Sequence, residues 1–146
     1  MKTRADFHAL VGKVLREQVP FNRVLGLEVE SADPPKVRFE MRPELIGNPL
    51  RGVLHGGVIS AALDVVAGYA IMLALAADPK PGEKIKFPDI GTIDLRVDYL
   101  RPGRGKHFVA SGRVVRLGNR IAVTHMELEN DSGELIATGA AAYVVG

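Results

Sequence analysis

The chain has no cysteine among its 146 residues, which excludes a disulfide framework, a thiolate nucleophile and a Cys-ligated metal. A cysteine-free chain fits a reducing compartment, so a cytoplasmic location is expected. Aromatic residues make up only 5%, and they do not interleave with basic residues as a stacking platform for single-stranded nucleic acid requires. A net charge of +2 is too small to call for a nucleic-acid partner by itself. His8, His107 and His125 have no His, Asp or Glu partner at ligand spacing, so no metal is expected. There is no Gly-x-Ser-x-Gly elbow and no phosphate-cradling Gly-Lys-Ser/Thr loop. Met1-Lys2-Thr3-Arg4-Ala5-Asp6-Phe7-His8 breaks up any apolar leader with charge, so a secretory signal is not expected.

What remains is an ordinary globular composition, 47% hydrophobic and 25% charged, at a length that supports one core. A single domain over 1–146 is expected. Phe7, Leu10, Val11, Val14 and Leu15 recur at helical spacing and predict an amphipathic helix over 5–18, ended before Pro20. Two short strands follow, 25–31 and 36–42, across the Asp33-Pro34-Pro35 turn. Residues 43–54, with Gly47, Asn48, Pro49 and Gly52, read as loop. A long helix then starts near Gly56 and stops before Asp78-Pro79-Lys80-Pro81-Gly82.

The second half alternates as β-structure does. Over 92–100, Ile93, Leu95, Val97 and Tyr99 fall on one face, with Thr92, Asp94, Arg96 and Asp98 on the other. Further strands are expected over 107–117, 121–129 and 134–145, separated by hairpin-type turns. The class is therefore α+β: an antiparallel sheet curled around one long apolar helix, with an N-terminal helix beside it. Small residues at 139–142 would let backbones approach closely.

From Gly56 to Ala77 the one ionisable group besides the Tyr69 phenol is Asp64. The stretch is nearly long enough to cross a bilayer. A mid-helix carboxylate, abundant Gly and Ala, and the alternating strands that follow argue instead for a helix buried by its own protein. A carboxylate there is costly unless paired, hydrogen-bonded or protonated. Gly57, Ser60, Ala61 and Gly68 share its face, leaving room for another molecule. Two readings are open: Asp64 caps a neighbouring loop or faces solvent at the helix edge, or it works on a ligand. His55-Gly56-Gly57 opens the helix, where unpaired N–H groups at the positive end of the dipole can donate to a carbonyl or an oxyanion.

The spacing of Asn48, six residues, His55-Gly56-Gly57, six residues and Asp64 resembles the motif of hotdog-fold acyl-CoA thioesterases of the phenylacetate-pathway type. The run from Gly91 to Pro102 is similar to that family's first long strand after the central helix. The Asn-to-His spacing is one residue longer than in some members. The resemblance implies a hotdog fold and hydrolysis of acyl-CoA without a cofactor, coenzyme A being part of the substrate. It implies Asp64 as general base or nucleophile and the Gly56 N–H as the group that polarises the thioester carbonyl. Asn48 and His55 would shape the carbonyl site, and Thr92 would help hold the attacking water. A non-catalytic acyl-CoA-binding module and an enoyl-CoA hydratase are the alternatives. The hydratase motif is only partly matched, because Ile46 stands where it has Asp.

Arg96, Arg101, Arg104, Lys106, Arg113, Arg116 and Arg120 face a single acid, Asp98, between Arg96 and Met126. Either these are solvated strand and turn charges, or some bind the phosphates of coenzyme A. Arg101, Arg104, Arg116 and Arg120 are the candidates. Finally, Gly56 and Asp64 lie ~12 Å apart along a helix, whereas one carbonyl and its attacking water need partners ~3 Å away. An obligate homodimer is expected, with Asn48 and Gly56 from one chain and Asp64 and Thr92 from the other. The resemblance adds a homotetramer built from two dimers.

Overall fold

The computed structural model describes residues 3–75 and 87–146. The expected stop of the long helix at Asp78–Gly82 lies outside them. Helix α1 (Arg4–Glu17) starts on a reciprocal cap: Thr3 Oγ1 accepts from the Asp6 N–H, and Asp6 Oδ2 accepts from the Thr3 N–H. Such a box satisfies two donors that the first turn leaves free. Pro20 does end α1, but it also opens a second helix, α2 (Pro20–Leu25). Proline at the first helical position gives up only an N–H that has no intrahelical partner. Leu25, expected to begin a strand, is therefore the last residue of α2. Gly26, at φ 70°, closes it in the left-handed region, where glycine carries no Cβ penalty.

Strands β1 (Glu28–Ala32) and β2 (Pro35–Glu40) pair antiparallel. The segment read as loop contains a single 3-10 turn (Pro43–Leu45) and a small hairpin, β3 (Ile46–Asn48) with β4 (Val53–Leu54). Helix α3 (Gly56–Leu75) follows, then β5 (Ile90–Tyr99), β6 (His107–Leu117), β7 (Ile121–Asn130) and β8 (Leu135–Val145). One six-stranded antiparallel sheet runs in the order β1-β2-β6-β7-β8-β5. It curls around α3.

Alternation along the strands explains the wrap. Phe108 and Ala110 of β6, Ala122, Met126 and Leu128 of β7, and Ala137, Ala141 and Tyr143 of β8 are all buried against the helix side. Ile59, Ala62, Leu63, Val66, Ala67 and Ile71 of α3 meet them. Close approach depends on missing side chains. A Cβ on Gly112 would lie 3.0 Å from the Val66 carbonyl oxygen, and one on Gly139 would lie 3.2 Å from Leu63 Cδ1. Within the small-residue run, Gly139 and Ala141 turn inward, and Ala140 and Ala142 turn outward. By length and composition α3 could cross a membrane; here ten of its twenty residues are buried, packed against the sheet and α1.

The expected alternation of β5 needs one correction. Thr92 pairs with Tyr143 and Asp94 with Ala142, so Ile93 is a bulge with no partner of its own. A bulge shifts the pleat by one residue. Thr92 therefore shares the helix-facing side with Leu95 and Val97 rather than the opposite one, and Ile93 is 55% exposed.

Candidate active site

The shift at Ile93 brings three residues together. Thr92 Oγ1 donates to Asp64 Oδ1 across 2.9 Å, and the Tyr143 hydroxyl lies 2.5 Å from the same oxygen and 3.0 Å from the Asp64 carbonyl. Asp64 is half-buried on α3, whose neighbouring positions Ser60 and Ala61 are also partly open. The carboxylate is thus hydrogen-bonded from the sheet while its helix face stays accessible. This is the compensation that a charge placed in an apolar helix requires. Tyr143 is 2% exposed. Burial, reinforced by the hydrogen bond to Asp64 and its negative charge, pushes the phenol well above the ordinary tyrosine range. It remains a protonated donor at any ordinary pH.

Asn48, His55 and Gly56 form a second group at the start of α3. His55 is the cap. Its carbonyl accepts from Val58 and its ring Nδ1 accepts from the Gly57 N–H across 2.8 Å, as a capping side chain does for the second or third residue of a helix. Asn48 closes the β3–β4 hairpin: Oδ1 accepts from the Leu50 N–H, and its carbonyl accepts from the Arg51 and Gly52 N–H groups. Tyr99 adds a hydroxyl that donates to the Gly56 carbonyl across 3.0 Å. Among the described residues no acceptor meets the Gly56 N–H, which is left free at the positive end of the helix dipole.

The hairpin is seated on the cap by a missing side chain. A Cβ on Gly47 would come 2.6 Å from His55 Cα, a backbone atom that cannot swing away. Gly47→Ala is therefore expected to destabilise the chain by about 1–3 kcal/mol, the cost of overpacking. Urea unfolding checks this; an unchanged midpoint would show that hairpin and cap are not locked together.

The four candidate arginines do not converge within one chain. Arg101 donates to the Leu135 carbonyl and Arg104 to the Arg51 carbonyl, each across 2.8 Å. The Leu54 N–H bonds the Gly103 carbonyl, so this loop flanks the start of α3 and brings Arg51 into the same neighbourhood. Arg116 and Arg120 lie at the other end of β6, whose eleven residues span ~33 Å at strand rise. Two open grooves are also present: one of about 510 Å³ on the outer sheet face, lined by Arg96, Asp98, Arg113 and His125, and one of about 590 Å³ between α1 and β1. Neither has Asp64 in its lining. Among the described residues no cluster of His, Asp and Glu could hold a metal ion.

Tyr143 was not singled out from the sequence. Its signal is the parity of β8, which places a hydroxyl-bearing ring on an otherwise apolar inward face, where a buried phenol finds a partner.

The chain is similar to known proteins along most of its length. The sequence model of the family described as "Thioesterase superfamily" matches residues 51–137. The chain is 43% identical over 143 residues to the medium/long-chain acyl-CoA thioesterase YigI of Salmonella typhimurium, covering 94% of this chain and 92% of that protein. It is 42% identical over the same length to YigI of Escherichia coli K12, with the same coverage. A crystal structure from Shewanella oneidensis, described as related to the thioesterase superfamily, superposes with a TM-score of 0.85 at 42% identity, over 98% of this chain and 97% of that one.

Proposed function

This chain belongs to the thioesterase superfamily and is a thioester hydrolase with the hotdog fold, and from that premise we propose that it cleaves medium- to long-chain acyl-CoA to the free acid and coenzyme A. The chain-length preference follows the names of the YigI relatives. The observation that carries the assignment of the site is the half-buried Asp64 carboxylate, hydrogen-bonded from the sheet by Thr92 and Tyr143 and open on its helix face. Asp64 is the general base toward water or the nucleophile toward the carbonyl carbon. The free N–H of Gly56 polarises the carbonyl, since a positioned backbone donor stabilises charge that develops on oxygen. His55 and Asn48 contribute by fixing the cap and the hairpin that aim this N–H. The test is steady-state release of coenzyme A from a panel of short-chain, medium-chain, long-chain and phenylacetyl thioesters. The highest kcat/KM is expected in the medium-to-long range. Turnover confined to the phenylacetyl thioester would contradict this assignment.

The working unit is a homodimer. Among the described residues strand β5 ends the sheet, paired to β8 alone, and the alternate residues whose N–H and C=O groups point away from β8 are a template for another strand. Ile93, Tyr99 and Leu100 are about half exposed along or just beyond it. A second copy of β5, added antiparallel about a two-fold axis, covers this edge and sets the start of one α3 toward Asp64 of the other. Two such dimers pair into a tetramer. The chain acts in the cytoplasm, where acyl-CoA is available, and needs no cofactor.

Arg101 and Arg104, with Arg51, bind the coenzyme A phosphates near the start of α3. The two-fold pairing turns Arg116 and Arg120 of the second copy toward the same end. Replacing Arg101 or Arg104 by Ala is expected to raise KM for acyl-CoA several-fold, on the scale of a lost charge-assisted hydrogen bond, with kcat little changed. Contacts that hold substrate and transition state alike act on KM. A pantetheine thioester without the nucleotide should be insensitive; equal losses on both substrates would remove these residues from the phosphate site.

A further inference from the structure

We propose that Tyr143 is a positioning residue for this reaction, and that it leaves Oδ2 of Asp64 as the oxygen that does the chemistry. The proposal rests on the reading of Asp64 as the working carboxylate. Both donors reach the same atom: Thr92 Oγ1 and the Tyr143 hydroxyl converge on Oδ1. Among the described residues nothing donates to Oδ2. Two donors on one oxygen stop rotation of the carboxylate about its Cβ–Cγ bond, so Oδ2 points one way with its lone pairs unoccupied.

The Tyr143 hydroxyl also lies 3.0 Å from the Asp64 carbonyl. It therefore addresses the backbone of α3 and the side chain borne by the same residue. Its ring is packed between helix and sheet, and Thr92 stands opposite it in strand register. Bulge, ring and helix backbone together fix where Oδ2 sits. Preorganisation of this kind matters because a displacement of one ångström from the attack geometry costs orders of magnitude in rate.

The phenol is held protonated by burial and by Asp64 itself, so it keeps donating wherever the enzyme works. The inward positions of β2, β6 and β7 are apolar or, at Thr124, a hydroxyl: Val37, Phe39, Phe108, Ala110, Ala122, Thr124, Met126 and Leu128. The helix-facing residues of β5 are Ile90, Thr92, Leu95, Val97 and Tyr99, and the Tyr99 hydroxyl is spent on the Gly56 carbonyl at the far end of this run. On α1, Phe7, Val11 and Leu15 face the core, and His8 opens into the groove beside β1 with Tyr69 of α3. Among the described residues, Tyr143 is thus the one titratable group that meets Asp64.

In the base-catalysed step, Oδ2 takes a proton from water as the water oxygen bonds to the thioester carbonyl carbon. The tetrahedral intermediate then collapses with cleavage of the C–S bond, and the proton on Oδ2 passes to the leaving sulfur.

Tyr143→Phe removes one hydroxyl and little else. It is expected to lower kcat about 10-fold or more, the scale of a lost hydrogen bond to a charged group, with KM little changed. Fluorotyrosine placed at position 143 keeps the ring and the hydroxyl and should hold kcat near the wild-type value, whereas 4-fluorophenylalanine there fills the place of the hydroxyl without a donor and should match Tyr143→Phe. A folded Tyr143→Phe variant with the wild-type kcat, or one in which KM rises as much as kcat falls, overturns the proposal. If Tyr143→Phe does not fold, the 4-fluorophenylalanine enzyme decides, and a wild-type kcat there overturns the proposal. Wild-type turnover by Asp64→Asn would instead overturn the underlying reading of Asp64. An inactive Asp64→Asn beside a wild-type kcat in the enzymes that lack the hydroxyl at position 143 overturns only the role of Tyr143.

Discussion

Asp64→Asn is expected to lower kcat at least ~10²-fold, the scale on which a positioned acid–base group contributes, while leaving the fold intact. The amide has the shape of the carboxylate, and its oxygen can still accept from Thr92 and Tyr143, which in the native chain donate to Oδ1. What it lacks is an oxygen able to take a proton or attack carbon. Asp64→Ala is the less clean variant. It leaves the Tyr143 hydroxyl with only the backbone carbonyl of residue 64 and removes the side-chain acceptor that Thr92 and Tyr143 share. The measurement is kcat on a medium-chain acyl-CoA, with the thermal melt recorded alongside. Wild-type turnover in a folded Asp64→Asn variant would exclude a working carboxylate at this position.

The parts of this molecule that could be read from its sequence are those set by local chemistry. Helix α3 begins at Gly56, as His55-Gly56-Gly57 indicates, and the long strands β6, β7 and β8 end at their Gly, Asn and Asp turns. Asp64 stands out because a carboxylate in an apolar helix needs a reason. What escaped depends on pairings remote in sequence or on elements too short for a pattern. Thr92 was expected on the outer face because strict alternation does not foresee a bulge, and the bulge at Ile93 becomes visible only in the register of β5 with β8. Tyr143 lies 79 residues from the carboxylate it holds. Pro20 reads as a stop, yet it also opens α2. Strands as short as β3 and β4 carry no periodicity. The arginines cluster in sequence but separate in space, because β6 carries the chain from one end of the sheet to the other.

In the proposed dimer one site is assembled from two chains. Along α3, Gly56 and Asp64 are separated by eight residues, ~12 Å at helical rise, so the free N–H and the carboxylate of one chain do not reach one carbonyl. In the proposed dimer, antiparallel addition of two β5 edges would supply the missing partner from the second copy. Two substitutions separate the halves. Asp64→Asn removes the carboxylate. Gly56→Pro removes the N–H at the first helical position, where proline's fixed φ is compatible with the helix, and a Cβ there meets nothing nearer than Tyr99 Cε1 at 3.4 Å. Each variant alone should be nearly inactive. A mixed dimer then holds one site with both defects and one with neither. The measurement that decides the matter is thioesterase activity after the two variants are unfolded together and refolded at equal concentration, with mixed dimers verified by mass spectrometry of differently tagged chains. Random pairing makes half of the dimers mixed, so about a quarter of all sites should return to wild-type turnover if the site is shared across the two-fold. Verified mixed dimers that remain as inactive as their parents would contradict the shared site.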